Sequence, residues 1–195
     1  ETASSLLEAG ALEEAQRLIE RIPWSRVPEN ASYAVLMKYG KALRQVDPRR
    51  ALETMENAYL TYPRERNADD EEALLEVYLS GDRSAAARRL VMEKSAQVRE
   101  NPILLPELID AAILWGDYLY GKGDYRSAAD AYGLAVDAAS QVSTPVRGLR
   151  RDPAWAKYQR ANALLELSDY RGSLALFQEI AASDAPTCPA ATGSS

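Results

Sequence analysis

The chain of 195 residues contains no histidine and only one cysteine, Cys188. Without histidine it cannot use His-based acid–base catalysis, a Ser-His-Asp triad or a Cys-His pair, and it lacks the commonest metal ligand. A single cysteine excludes an internal disulfide and a zinc site made of several cysteines. Gly121-Lys122-Gly123 joins two helical patterns and is not a phosphate-binding loop. We therefore predict no metal, no cofactor and no enzyme activity.

Long apolar runs and an excess of basic residues are missing as well. No stretch approaches the roughly 18 consecutive apolar residues of a membrane-spanning helix, so we predict no membrane insertion in this segment. A net charge of -6 argues against nucleic-acid binding. The first residue is Glu1, not Met, so we expect a piece of a longer protein. No run shows the period-two alternation of a strand between turn signals.

The chain does contain an internal repeat. Its clearest copy has Gly123, Tyr125, Ala128, Tyr132 and Ala135 at fixed offsets. Each copy joins a turn, a small residue where two helices cross, and a large apolar residue one helical turn later. The turn positions of the five copies are 10, 46, 81, 123 and 168. The pattern predicts helices near 3–9, 12–22, 29–45, 48–62, 69–80, 83–100, 106–121, 125–140, 154–167 and 170–182.

These residues resemble the tetratricopeptide repeat family. The motif Trp115-Gly116-x-x-Leu119, followed by Gly123-x-Tyr125-x-x-Ala128, is similar to the family pattern of a large residue, Gly, Tyr, Gly-x-Tyr and Ala. The resemblance implies an all-α, right-handed solenoid of antiparallel helix pairs. It implies a repeat domain over 1–182, with repeats near 1–27, 29–63, 67–101, 106–140 and 153–185. Residues 183–195 have the composition of a flexible tail.

The resemblance also implies a partner-binding site. In this family the first helices of the pairs line a concave groove that holds a peptide or helix of another protein. The matching positions are Met37, Lys41, Arg44, Glu71, Leu75, Tyr78, Asp110, Ile113, Asp117, Tyr120, Trp155, Tyr158, Asn162 and Leu165. Only Asn162 matches the family's clamp for a terminal carboxylate, and Asp110 and Asp117 would repel a carboxylate. We therefore predict that this chain has no such clamp.

Two groups of aromatic residues have different predicted positions. Tyr125, Tyr132 and Tyr170 match packing positions between helices, so we expect them in the core. Tyr78, Tyr120, Trp155 and Tyr158 fall on the predicted groove face. They could anchor a partner or simply be exposed single aromatic residues.

The connection 141–153 is longer than the other turns and adds Arg147, Arg150 and Arg151 to an acidic protein. Two interpretations remain open. The linker is a solvated one whose arginines offset neighbouring carboxylates, or it is a docking loop for an acidic partner segment.

The leading functional hypothesis is a non-catalytic scaffold or adaptor that binds a protein or peptide partner. The alternative is a structural or oligomerisation module of a bacterial envelope assembly, for secretion, exopolysaccharide export or outer-membrane biogenesis. In that case the chain would either space other domains or self-associate as a homo-oligomer, in the bacterial periplasm or cell envelope. The alternative is based on the helix end Leu60-Thr61-Tyr62-Pro63 and the Pro/Ala tail. Cell fractionation and light scattering would distinguish the two.

Overall fold

The computed structural model of the protein describes residues 2–141 and 148–184. Within these ranges the regular structure consists of ten α-helices and two short 3₁₀ turns, with no strand. The helices are α1 (Ala3–Glu8), α2 (Leu12–Ile19), α3 (Glu29–Leu43), α4 (Pro48–Thr61), α5 (Ala68–Ser80), α6 (Ser84–Glu100), α7 (Leu105–Gly121), α8 (Tyr125–Ser140), α9 (Pro153–Glu166) and α10 (Tyr170–Asp184). The predicted all-α class is confirmed. The 3₁₀ turns, Trp24–Arg26 and Pro102–Leu104, were not predicted.

The chain divides into two compact units, Glu1–Leu90 (unit 1) and Val91–Ser195 (unit 2). The boundary falls inside α6. The single repeat domain over 1–182 stays a prediction. Helix α10 extends to Asp184, so the first two residues of the predicted tail are helical, and the rest of the tail lies outside the described residues.

The turns inside four of the helix pairs share one hydrogen bond. In each, a backbone N–H just before the second helix donates to the carbonyl five residues earlier, which is the longer bond of a Schellman closure. The four bonds join Ala11 to Leu6 (2.9 Å), Arg83 to Tyr78 (2.7 Å), Asp124 to Leu119 (3.0 Å) and Asp169 to Leu164 (2.9 Å). The α3–α4 turn is one residue shorter, because Asp47 donates to Leu43 at 2.8 Å. The repeat therefore includes the turn geometry as well as the helices.

Side-chain caps begin several of the helices. The Asp47 carboxylate accepts the N–H of Arg50 at 3.0 Å, and the Asp152 carboxylate accepts the N–H of Ala154 at 2.9 Å. Both caps precede a proline at the first helical position, where the missing N–H costs nothing.

The α7–α8 crossing in unit 2 depends on a glycine. A Cβ atom at Gly116 would lie 2.7 Å from the ring of Tyr132, so only glycine allows the two helices to approach this closely. Tyr132 and Ala128 are fully buried, as predicted. The hydroxyl of Tyr132 donates to Asp117 at 2.7 Å. Burial and this hydrogen bond raise the pKa of Tyr132, so the phenol stays protonated.

The core of unit 1 is built on the same plan. Ala15 and Ala51, both fully buried, bring the helices close together. Leu7, Tyr39 and Leu43 fill the space around them. Alternation of small and large side chains lets the helices interdigitate without voids.

Candidate partner-binding surface

The predicted groove positions of unit 1 are mostly buried. Met37 and Leu75 are 1% exposed, and Glu71 and Tyr78 are also buried. The prediction that these four side chains contact a partner is corrected here, because they form part of the packed interior of the chain. Their helical spacing is that of a buried face as much as that of a groove face.

Lys41 and Arg44 are the two cations predicted to line the groove of unit 1. Both are half-buried, and each forms an ion pair with a carboxylate of the same unit. Lys41 Nζ lies 2.5 Å from Asp70 Oδ1, and Arg44 pairs with Glu76. The first pair joins α3 to α5, and the second joins the residue just after α3 to α5. The hydroxyl of Tyr78 likewise donates to Glu56 of the same unit, at 2.9 Å. Lys41, Arg44 and Tyr78 therefore all have partners within unit 1.

Asp110 of α7 has a structural role. It is buried, and its carboxylate accepts the backbone N–H groups of Arg150 (3.0 Å) and Arg151 (2.8 Å). These bonds fix the chain just before α9 against α7. The expectation that Asp110 lines a groove and repels a carboxylate is corrected, because its charge is directed at the backbone. Ile113, fully buried one turn later, is also corrected to a core position.

The arginine-rich connection is thus anchored through its backbone at Arg150 and Arg151. Arg147 lies outside the described residues. A docking role for this segment stays a prediction.

Helix α9 presents the predicted groove residues at its surface. Trp155 is 47% exposed, Tyr158 44% and Leu165 45%. Asn162 is half-buried and donates to Gln159 at 3.0 Å. The four positions lie three or four residues apart and so share one face of the helix.

The buried face of α9 holds this stripe in place. It carries Ala156, Ala161 and Ala163, all fully buried, and α9 packs on α8 and α10. Small residues allow close helix packing, which fixes the direction of the opposite face.

The exposed rings of α9 are also fixed by one another. The ring centroids of Trp155 and Tyr158 are 5.9 Å apart with planes inclined by 27°, and Tyr158 meets the edge of Phe177 at 5.8 Å. Both distances lie in the favourable range for aromatic pairs.

Tyr120 of α7 lies close to the exposed face of α9. Tyr120, half-buried, has its ring centroid 5.2 Å from that of Tyr125. Burial is the main cause that raises the pKa of Tyr120. The charges of Glu166, Tyr125 and Tyr158 raise it further, by smaller amounts. Helices α7 and α9 also contact each other, so Tyr120 lies near the α9 residues Tyr158 and Glu166.

We use the name aromatic surface for seven residues of α7 and α9. They are Asp117, Tyr120, Trp155, Tyr158, Asn162, Leu165 and Glu166. Asp117 is exposed and lies one turn before Tyr120. Glu166 is absent from the predicted set. Its spacing of four residues from Asn162 could have placed it on the same face.

Tyr170 was predicted to lie in the core, and this is wrong. It is 66% exposed, and Leu174 one turn later is exposed as well. Helix α8 packs against the following helix α9, whereas no helix follows α10 in the part of the chain that the structure describes. The repeat position specifies an apolar residue, but only a following helix can bury it.

Across residues 2–141 and 148–184, no three acidic or cysteine side chains come together as a metal site would require. None of the described helices is both long and apolar enough to cross a membrane.

The helix pairs and their turns define a TPR-like helical repeat fold. The solved structures that share this fold include the following three, each under 20% identical. MamA AMB-1 aligns over 95% of this chain and 90% of its own, with a TM-score of 0.56 and 18% identity. A Podosopora anserina protein described as a kinesin light chain with nearly identical TPR-like repeats aligns over 92% and 90%, with a TM-score of 0.60 and 13% identity. BtubC from P. vanneervenii aligns over 98% and 82%, with a TM-score of 0.62 and 13% identity.

These similarities show the fold alone and confirm the predicted fold class. No family model matches the chain, and no curated protein matches it.

Proposed function

We propose that the chain is a non-catalytic interaction scaffold, and that the aromatic surface of unit 2 binds a peptide or helix of a partner protein. The observation that carries the proposal is the pair Trp155 and Tyr158. Both are nearly half exposed, and they are held side by side on a helix whose other face is buried.

Such a pair is suited to binding for energetic reasons. Tryptophan and tyrosine supply large apolar area and a polar tip, and they dominate the affinity of many interfaces. Immobilising a free side chain on binding costs about 0.5–1.5 kcal/mol. Contact with Phe177 already restricts Tyr158, so part of this cost is met before a partner arrives.

The tyrosine chemistry supports a non-catalytic role. The shifts resolved at Tyr78 and Tyr132 raise the pKa, with burial as the first cause. A raised pKa keeps a phenol protonated at neutral pH, whereas a catalytic base or nucleophile needs its pKa brought close to the working pH.

The test begins with a random peptide library displayed on phage and selected on the whole chain. The best peptide is then synthesised with a fluorescent label, and its Kd is measured by fluorescence polarisation. Trp155→Ala combined with Tyr158→Ala should weaken binding at least tenfold, the loss typical of hot-spot aromatics. Tyr170→Ala is the matched control, because Tyr170 is an exposed aromatic outside the aromatic surface. It should leave the Kd within about twofold.

Circular dichroism must show equal helicity for all variants. Selected peptides that bind the double variant as tightly as the parent chain would refute the proposal. So would a selection that enriches no peptide.

A further inference from the structure

Unit 1 contains three sets, each made of a tyrosine, a carboxylate and an arginine. They are Tyr39 with Glu20 and Arg50, Tyr59 with Glu71 and Arg66, and Tyr78 with Glu56 and Arg89. In the second set, the guanidinium carbon of Arg66 lies 3.7 Å from the ring centroid of Tyr59, whose hydroxyl donates to Glu71 at 3.2 Å. Stacking on a ring and pairing with a carboxylate are the two interactions that a guanidinium favours most.

The aromatic surface of unit 2 has two of these three components. It has the rings of Tyr120, Trp155 and Tyr158 and the carboxylates of Asp117 and Glu166. Asp117 accepts the hydroxyl of Tyr132, which leaves acceptor capacity on its carboxylate. Within residues 2–141 and 148–184, neither Asp117 nor Glu166 forms an ion pair. The cationic component is not supplied by this part of the chain.

Glu166 has no evident role in stabilising its own helix. It is the last residue of α9, and the last turn holds no basic residue. The carbonyl end of a helix favours cations and disfavours a carboxylate. Glu166 instead adds negative charge near Tyr120 of α7, a helix that packs on α9.

We propose that the segment bound by the aromatic surface carries an arginine or lysine side chain beside an apolar residue. The cation stacks on the rings of exposed Tyr158 and half-buried Tyr120 and pairs with Glu166 and Asp117, while the apolar residue packs on Trp155. This inference rests on the proposed function and names the chemistry of the partner. An acidic segment would bring its carboxylates against Glu166 and Asp117, which disfavours it.

Three small probes test the inference: N-acetyl-phenylalanyl-arginine amide, its citrulline analogue and its glutamate analogue. Citrulline keeps the shape of arginine without the charge. Each probe is titrated into ¹⁵N-labelled protein, and the indole N–H signal of Trp155, assigned with Trp155→Phe, reports binding. The arginine probe should bind about fivefold to tenfold tighter than the citrulline probe, as expected for one exposed cation–π contact and one exposed ion pair.

The source of the preference is tested with Glu166→Gln and Asp117→Asn, which keep the side-chain shape and remove the charge. Each should reduce the ratio of arginine to citrulline affinity, and together they should bring it close to one. Asp130→Asn is the matched control, because Asp130 is an exposed carboxylate of unit 2 outside the aromatic surface. It should leave the ratio unchanged.

The outcomes separate this inference from the proposed function. Equal binding of the arginine and citrulline probes, or tighter binding of the glutamate probe, overturns the inference and leaves the aromatic surface as a binding site. If no probe shifts the Trp155 signal, the inference is overturned, and the phage selection then decides the proposed function separately.

Discussion

The two units place very different surfaces at equivalent repeat positions. In unit 1, the predicted groove positions hold buried Leu75 and Met37 and the paired cations Lys41 and Arg44. In unit 2, the α9 positions hold Trp155, Tyr158 and Leu165, all more than 40% exposed. A repeat position therefore sets where a residue lies on its helix, whereas accessibility depends on what packs against that helix.

The same lesson holds within α7. Asp110 and Asp117 are two turns apart on one face, and the sequence suggests the same role for both. Asp110 is buried and accepts two backbone N–H groups, whereas Asp117 is exposed. The difference comes from Arg150 and Arg151, whose backbone meets Asp110.

The largest expected effect concerns the packing that orients the aromatic surface. Ala128→Leu adds a bulky side chain at the fully buried crossing of α7 and α8. Overpacking should lower the free energy of unfolding by about 1–3 kcal/mol. Urea denaturation followed by circular dichroism measures the change, with exposed Ala175→Leu as the control. If both variants unfold alike, the α7–α8 crossing is wrongly placed.

A smaller effect is expected at Asp110. Asp110→Ala removes the acceptor of the Arg150 and Arg151 N–H groups and should cost about 1–2 kcal/mol, since water can reach part of this backbone. Asp130→Ala, at an exposed carboxylate of α8, should cost less. A loss at Asp130 as large as that at Asp110 would contradict the structural role that we assign to Asp110.

Much of the fold could be predicted from the sequence because its signals are local. Gly123, the Asp47-Pro48 cap and the small residue Ala128 each act within a few residues, and the ten helices lie where they predict. The candidate site was harder to predict from the sequence, because the accessibility of a side chain depends on residues that are distant in the chain. Tyr170 has the sequence of a packing residue but lacks a covering helix, and Asp110 meets backbone groups forty residues away.

A substitution at Lys41 tests whether unit 1 also takes part in partner binding. Lys41→Met removes the pair with Asp70, in which the lysine side chain is 36% exposed and the aspartate side chain 11%. The Asp70 carboxylate keeps the hydrogen bond from Asn67, so the loss of stability should be about 1 kcal/mol. The affinity for the selected peptide should stay within about twofold of the parent value. A tenfold loss of affinity would show that unit 1 also binds the partner, against the contrast drawn between the units.

The smallest expected effect has the opposite sign. Glu166→Gln removes a carboxylate from the C-terminal end of α9, where the helix dipole opposes it. Stability in urea should therefore rise by about 0.3 kcal/mol at low salt, and the gain should shrink as salt screens the charge. The same substitution should weaken the arginine probe, so stability and binding change in opposite directions. A residue kept only for the fold could not produce that combination, and loss of both properties together would mean that Glu166 supports the structure of α9.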